Sequence, residues 1–322
     1  MSFSFKFTWL HAAVVTTGLF GLAPAIAAGP MQKAQAPGYY RMMVGDIEVT
    51  ALSDGTVGLP VTKLLNNMPE GQAEKDLARS YLKDPVETSV NTYLINTGSK
   101  LVMVDCGAGV FFGPTLGKLQ ASIRAAGYAP EQIDEIYITH MHGDHVGGLM
   151  VDGKPAFANA VVRADKRDAD FWLSQAAMDK APDEAKGFFK AAMATIGAYQ
   201  TAGKFKAFDG DTDLVPGVRS QVAYGHTPGH STYVVESKGE KLVLWGDMMH
   251  VAAVQFAKPM VTITFDSDNA AAAAQRAKAY AAAAEQGHWV GSTHLSFPGI
   301  GRLRANGDGG YTFVPAVYRS VP

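Results

Sequence analysis

The run "THMHGDHVGG", residues 139–148, sets three histidines and one aspartate within six consecutive positions. Imidazole nitrogens and carboxylate oxygens are ligands for borderline divalent metals, and side chains packed this densely rarely serve packing alone. Histidines at i and i+2, His140 and His142, can point to one ion, while Asp144 and His145 turn towards a second. A chain with such a loop has to fold so that more ligands reach it from distant segments. His226 in "GHTPGH", Asp247 in "WGDM" and His294 in "STHLS" are the candidates. Five histidines and two aspartates exceed what one tetrahedral ion uses.

The pattern of elements agrees with ligands delivered from strand ends. Residues 39–59 alternate apolar and polar side chains around the turn signals "GD" and "SDGT", which predicts hairpin strands. "SVNTYLIN" and "KLVMVDCG" form a second pair. "PTLGKLQASIRAAG" reads as a helix opened by Pro114 and closed by Gly127. "IDEIYITH" is a strand that ends at His140. Residues 166–180 and 183–202 read as helices, followed by strands at "SQVAYGH", "TYVVESK" and "KLVLWGDM". Asn269 to Gln286 is an Ala-rich helix capped by Ser267 or Asp268, and "HWVGSTH" is a strand that carries His294. Strands and helices recur in both halves without a linker. This predicts an α/β (α+β) fold of four layers, αββα, as a single domain over residues 29–322.

Residues 1–28 read as an export signal instead. Lys6 precedes an apolar run from about Leu10 to Leu22, and Ala25-Ile26-Ala27 is an A-x-A cleavage pattern. The expected setting is secreted, most simply a bacterial periplasm. No later segment approaches the ~20 apolar residues of a membrane span. A formal charge of −2, from 28 basic and 30 acidic residues, lacks the basic footprint of a nucleic-acid binder. Cys106 is the only cysteine, so no intramolecular disulfide forms, and its place after a β-rich run predicts a buried small hydrophobe.

H-x-H-x-D-H, "HTPGH", "GD" and a final His, in this order, resemble the metallo-β-lactamase superfamily over nearly the whole mature chain. "YITHMHGDHVGGLM", "AVVRAD", "DFWLSQ", "GFFK", "HTPGHSTYVVES" and "HLSFPGIG" resemble its methyl parathion hydrolase group, which includes dihydrocoumarin hydrolases and other lactonases. The resemblance implies two divalent metal ions, Zn²⁺ first, with Mn²⁺, Co²⁺ or Fe²⁺ as alternatives. His140, His142 and His226 would hold one ion, Asp144, His145 and His294 the other, and Asp247 both. It places His230 beside the ligands and Asp105 behind a ligand histidine. It also implies a homodimer.

Two such ions can share a hydroxide, a nucleophile at neutral pH, and polarise the oxygen of the bond to be cleaved. The resemblance puts Phe112, Trp172 and Phe189 in an aromatic pocket suited to small neutral aryl lactones, aryl esters or phosphotriesters. Gly143 stands where the organophosphate hydrolases tend to have Pro. His250, Ile263 and Phe265 also depart from those enzymes, and their bulk favours a planar lactone over a phosphotriester. The sequence therefore predicts a dihydrocoumarin-type lactonase with promiscuous phosphotriesterase activity, in which Asp247 and His250 take part in the chemistry. A dedicated phosphotriesterase and a non-catalytic metal-binding protein are the rival readings.

Overall fold

In the strand Leu101–Val104, Val102 and Val104 face one way and Met103 the other, and this two-residue alternation organises the molecule into layers. The computed structural model describes residues 31–320, with residues 1, 2, 4 and 29. The apolar run and cleavage pattern expected over residues 10–28 lie outside the described residues. The chain divides into two units, residues 1–35 and 36–322, and the architecture below is that of the second.

Two seven-stranded sheets each keep their strands in chain order. The first runs Tyr39–Val44, Ile47–Leu59, Val86–Asn96, Leu101–Val104, Glu135–Tyr137, Val161–Asp165 and Phe205–Phe208, antiparallel at first and parallel from Leu101 onward. The second runs Asp213–Val215, Val218–Val222, Ser231–Ser237, Glu240–Leu244, Trp289–Gly291, Ile300–Ala305 and Tyr311–Pro315. Its one parallel pair, Glu240–Leu244 with Trp289–Gly291, is joined through the helix Asn269–Gln286.

Met42, Val49, Tyr93, Ile95, Val102 and Val104 meet Tyr233, Val235, Leu242 and Leu244 between the sheets. The Tyr137 and Tyr233 rings stack there at 5.5 Å, and the Tyr233 hydroxyl donates to the Ile138 carbonyl at 2.7 Å. The opposite face of the first sheet packs Met103, Ile136 and Val162 on Ile123, Trp172, Ile196 and Tyr199 of helices. The outer face of the second packs Val234, Val243 and Val290 on Tyr280 and Ala283. These are the four αββα layers expected from the sequence. Among the described residues no helix is long and apolar enough to cross a membrane.

Several local readings change. "SDGT" is not a turn but a bulge between Ser53 and Gly55 inside the strand Ile47–Leu59. The extra residue turns Asp54 inward, where its carboxylate accepts the N–H groups of Ala108, Gly117 and Leu119 at 2.9–3.0 Å. Gly117 has φ of +76°, so the helix opens at Leu119 and not at Pro114. The helical stretch 166–180 breaks between Trp172 and Gln175, where Ser174 caps a new helix. Asp268 is the cap of the Ala-rich helix, accepting from the Ala271 N–H.

Asp54 anchors the segment between the first sheet and the helix Leu119–Ala125, and each of the three donors is left unpaired when the carboxylate is removed. Asp54→Ala should lower unfolding free energy by about 3 kcal/mol or more, measured by urea denaturation of the apoprotein. A change below about 0.5 kcal/mol would show that the bulge holds itself.

Candidate metal centre

His140 follows the strand Glu135–Tyr137 by three residues, and the chain after it turns at once into the short helix Gly143–Val146. That turn presses the motif backbone on residues 106–109. A Cβ at Gly147 would stand 2.0 Å from the Ala108 oxygen, and one at Gly148 1.9 Å from the Cys106 oxygen. Only glycine fits either position. Cys106 itself is buried, and burial pushes its thiol well up, so it is an inert core residue.

His226, Asp247 and His294 reach this loop from the ends of second-sheet strands. The result is two adjoining clusters, His140–His142–His226–Asp247 and Asp144–His145–Asp247–His294, whose donor atoms all lie within 4.8 Å of one another in each cluster. The Nε2 of His226 is 3.2 Å from His140 Nε2 and 3.2 Å from His142 Nδ1. Asp247 Oδ2 stands 3.4 Å from His226 and 3.2 Å from His294, and its Oδ1 3.2 Å from His145. Asp144 Oδ2 is 3.4 Å from His294 Nε2. Tetrahedral bonds of 2.0–2.1 Å put ligand atoms about 3.3 Å apart. The donor set has that spacing.

Hydrogen bonds at the far side of three of the five rings decide which nitrogen points inward. His145 Nδ1 meets Asp105 at 2.8 Å, His226 Nδ1 meets Asp266 at 2.8 Å, and His294 Nδ1 meets the Ser89 carbonyl at 2.9 Å. A proton used there leaves the Nε2 lone pair facing the cluster. Both His145 Nε2 and Asp247 Oδ1 are buried and find no hydrogen-bond partner among the described residues. Convergent lone pairs, two carboxylates and orphaned buried atoms fit a pair of divalent cations.

Electrostatics point the same way. Burial disfavours a charge on His226, yet the Asp247 and Asp266 carboxylates outweigh it and raise the ring to about 9. His145 rises against burial through Asp247, Asp105 and Asp144. Burial favours the neutral form of Asp247, but the imidazoles of His145, His294, His250 and His140 hold it well below the usual carboxylate range. Burial keeps His140 and His142 neutral. The site favours positive charge at its centre.

His230 is outside both clusters. Burial lowers it to about 3, and its neutral Nε2 accepts the Asp247 N–H at 3.1 Å while Nδ1 meets the Ala223 carbonyl. Asp105 sits at φ +60°, an unusual conformation for a residue with a side chain. It is held there by the Thr139 N–H and hydroxyl, both at 2.8 Å, and by His145. His250 is buried, its Nε2 3.1 Å from Asp247 Oδ2, and its ring stacks on His294 at 5.0 Å.

A cavity borders His142, Asp144, Asp247, His250 and His294, walled by Val57, Leu59, Val90, Phe112, Leu116, Phe188 and Phe265. A second, wider one runs along Trp172, Phe188, Phe189 and Phe265 and shares His142 with the first. Of the aromatic residues expected at the pocket, Phe112 borders the first cavity, and Trp172 and Phe189 border the wider one. Phe188, which the sequence reading does not name, lies against the His142 ring at 4.5 Å; consecutive helical residues diverge, and Phe189 packs on Phe171 and Trp172. One assignment is corrected. Ile263 borders neither cavity: it is fully buried, pairs with Leu65, and donates its N–H to Asp266.

Three polar residues escaped the sequence reading. Asp168 accepts the N–H groups of Met141 and Gly229 at 2.9 and 2.7 Å, tying the first histidine loop to "HTPGH", and burial raises it to about 6. Asp266 backs His226, and Gln255 accepts the His250 and Val251 N–H groups. None lies at a motif spacing, and neither "RADKRD" around Asp168 nor "VTITFD" around Asp266 carries a chemical signal of its own.

The family described as the Metallo-beta-lactamase superfamily matches residues 85–285. In three dimensions the chain is similar to a hydrolase of the beta lactamase superfamily, AbOPH, at 35% identity and TM-score 0.85, covering 89% of this chain and 100% of that one. It is also similar to AidC, a dizinc quorum-quenching lactonase seen with the product N-hexanoyl-L-homoserine, at 26% identity and TM-score 0.81, covering 88% and 99%. An N-acyl homoserine lactonase of Bacillus cereus is 27% identical over 156 residues, 48% of this chain and 54% of that protein. The chain thus spans about half the length of the curated relatives it matches.

Asp247 contributes to both clusters, so no single ligand loss should be as damaging. Asp247→Ala is expected to lose at least one equivalent of zinc by elemental analysis. Full retention of both would end its assignment to two clusters.

Proposed function

The chain belongs to the metallo-beta-lactamase superfamily and is a metal-dependent hydrolase of that fold, and on this premise we propose that it opens neutral lactones, aryl lactones of the dihydrocoumarin type first. The observation that carries this reading is the cavity over the two clusters, whose lining holds four histidine or aspartate ligands and His250 but otherwise only apolar side chains. When bound, a divalent metal pair supplies a nucleophile at neutral pH and Lewis-acid polarisation of the ester carbonyl. His140, His142, His226 and Asp247 would hold one ion, and Asp144, His145, His294 and Asp247 the other.

The remaining residues deal with the organic substrate. Phe112, Phe188 and Phe265 offer flat apolar faces to an aryl ring and exclude water from it. No Lys or Arg is among the described residues lining this cavity, so a carboxylate elsewhere on a substrate would be desolvated without a side-chain partner. His250 uses Nε2 on Asp247, while its buried Nδ1 has no partner among the described residues. That imidazole can hold or pass a proton at the leaving phenolate oxygen.

Phosphotriester hydrolysis is the weaker activity of the same site. Phe265 and His250, with ring centres 5.9 Å apart, crowd a centre bearing three substituents more than a planar ring. The export signal read over residues 1–28 supports a periplasmic setting, and the family resemblance supports a homodimer.

One zinc-loaded preparation should be assayed for kcat/KM on dihydrocoumarin, phenyl acetate, N-hexanoyl homoserine lactone and methyl parathion. Dihydrocoumarin should lead, by about 100-fold over the phosphotriester. A phosphotriester in first place would replace the lactonase reading with a dedicated phosphotriesterase, and no turnover of any of the four would favour a binding protein. His250→Ala should lower kcat on dihydrocoumarin about 100-fold at unchanged zinc content.

A further inference from the structure

Arg276, on the helix Asn269–Gln286, is 1% exposed, where the helix otherwise buries Ala272, Ala273, Tyr280 and Ala283. A guanidinium in such a place is costly unless its donors find acceptors. Three hydrogen bonds and an ion pair answer it, and all the partners belong to one irregular stretch of chain. Nε donates to the Met248 carbonyl at 2.6 Å, and Nη1 to those of Pro259 and Val261 at 3.0 and 2.7 Å. Nη2 lies 3.7 Å from Asp266 Oδ2.

The ends of that stretch are what matter. Met248 directly follows Asp247, the carboxylate common to both clusters, and Asp266 holds His226 Nδ1 at 2.8 Å. Between them lie only one short helix, Ala252–Gln255, and the two-residue strand Thr262–Ile263, so few of the carbonyls have ladder partners. Gln255 adds a second tie: it holds the N–H groups of His250 and Val251 and donates to the Val261 carbonyl that Arg276 also binds.

We propose that Arg276 is a positioning residue of the metal centre, its planar fork fixing the separation of Asp247 and His226 by spanning the Met248 carbonyl and the Asp266 carboxylate. Five donors in one plane make this possible, and a lysine ammonium, a point charge with three, cannot reach the same acceptors together. For packing alone a methionine would serve as well, since buried charges are often neutral or unfavourable beside apolar residues of similar volume.

The test uses a His294→Ala background, in which His140, His142, His226 and Asp247 are all kept, and adds Arg276→Met, Arg276→Lys or Asp266→Asn. Zinc affinity is measured by chelator competition, the cobalt(II) absorption spectrum is recorded, and hydrogen exchange over residues 248–266 is followed in the apoprotein. Arg276→Met should weaken zinc about tenfold or more, alter the cobalt bands and speed exchange over 248–261. Asp266→Asn should weaken zinc by a similar factor, combining with Arg276→Met less than additively. Arg276→Lys should recover thermal stability but not zinc affinity. Unchanged affinity and cobalt spectrum in Arg276→Met, whatever its melting temperature, would overturn the proposal and leave Arg276 a packing residue. If Arg276→Met does not fold, unchanged affinity in both Arg276→Lys and Asp266→Asn overturns it equally. Because the readouts are metal affinity and exchange, a failed lactonase assay leaves this result intact.

Discussion

Imidazole lone pairs 3.2 Å apart repel one another, and so do carboxylates brought to their edge, yet His140, His142, His226 and Asp247 are packed to that spacing without exposure to solvent. A chain forms such a centre only when surrounding structure holds each ring against its neighbours. The layers behind the ligands do that holding. Asp105 accepts from His145, Asp266 from His226, and the Ser89 carbonyl from His294, which sets the tautomer as well as the angle of each ring. Asp168 and His230 fasten the backbones of the loops to one another.

The apolar half of the site follows from the same construction. The walls come from segments packed against the ligand loops: Phe112 comes from the segment pressed on Gly143, whose Cβ would meet the Phe112 ring at 3.2 Å, and Phe265 immediately precedes Asp266, which backs His226. Substrate recognition and metal retention are therefore built into adjoining segments. Phe188 and Phe265 border both cavities, so their size decides how far the chamber over the metals communicates with the wider one beside it.

Much of this was readable from residues alone, for a physical reason. Metal chemistry demands particular side chains, and His140, His142, Asp144 and His145 satisfy it within one local run. The alternation in "KLVMVD" and the capped Ala-rich helix are likewise local. What was not readable depends on contacts across the chain. "SDGT" has the composition of a turn, and only the partner strand Val86–Asn96 shows it to be a bulge. Phe188 and Phe189 are neighbours, and the phase of a helix that starts at Lys186 decides which meets His142. The resemblance places Ile263 at the pocket with Phe265, but a strand pairing with Leu65 turns it into the core. Asp266 and Arg276 have no motif at all, since their partners are carbonyls and a ring more than one loop away.

The ligands also have an order in time. The first sheet supplies His140, His142, Asp144 and His145, the second supplies His226, Asp247 and His294, and neither sheet alone holds a complete cluster. During synthesis the first cluster waits for residue 247 and the second for residue 294, near the end of 322 residues. Both sheets must be docked before either set of donors converges, so metal binding is coupled to closure of the sandwich and would hold its two halves together. Loading with metal would thus report that the segments through His294 have come together.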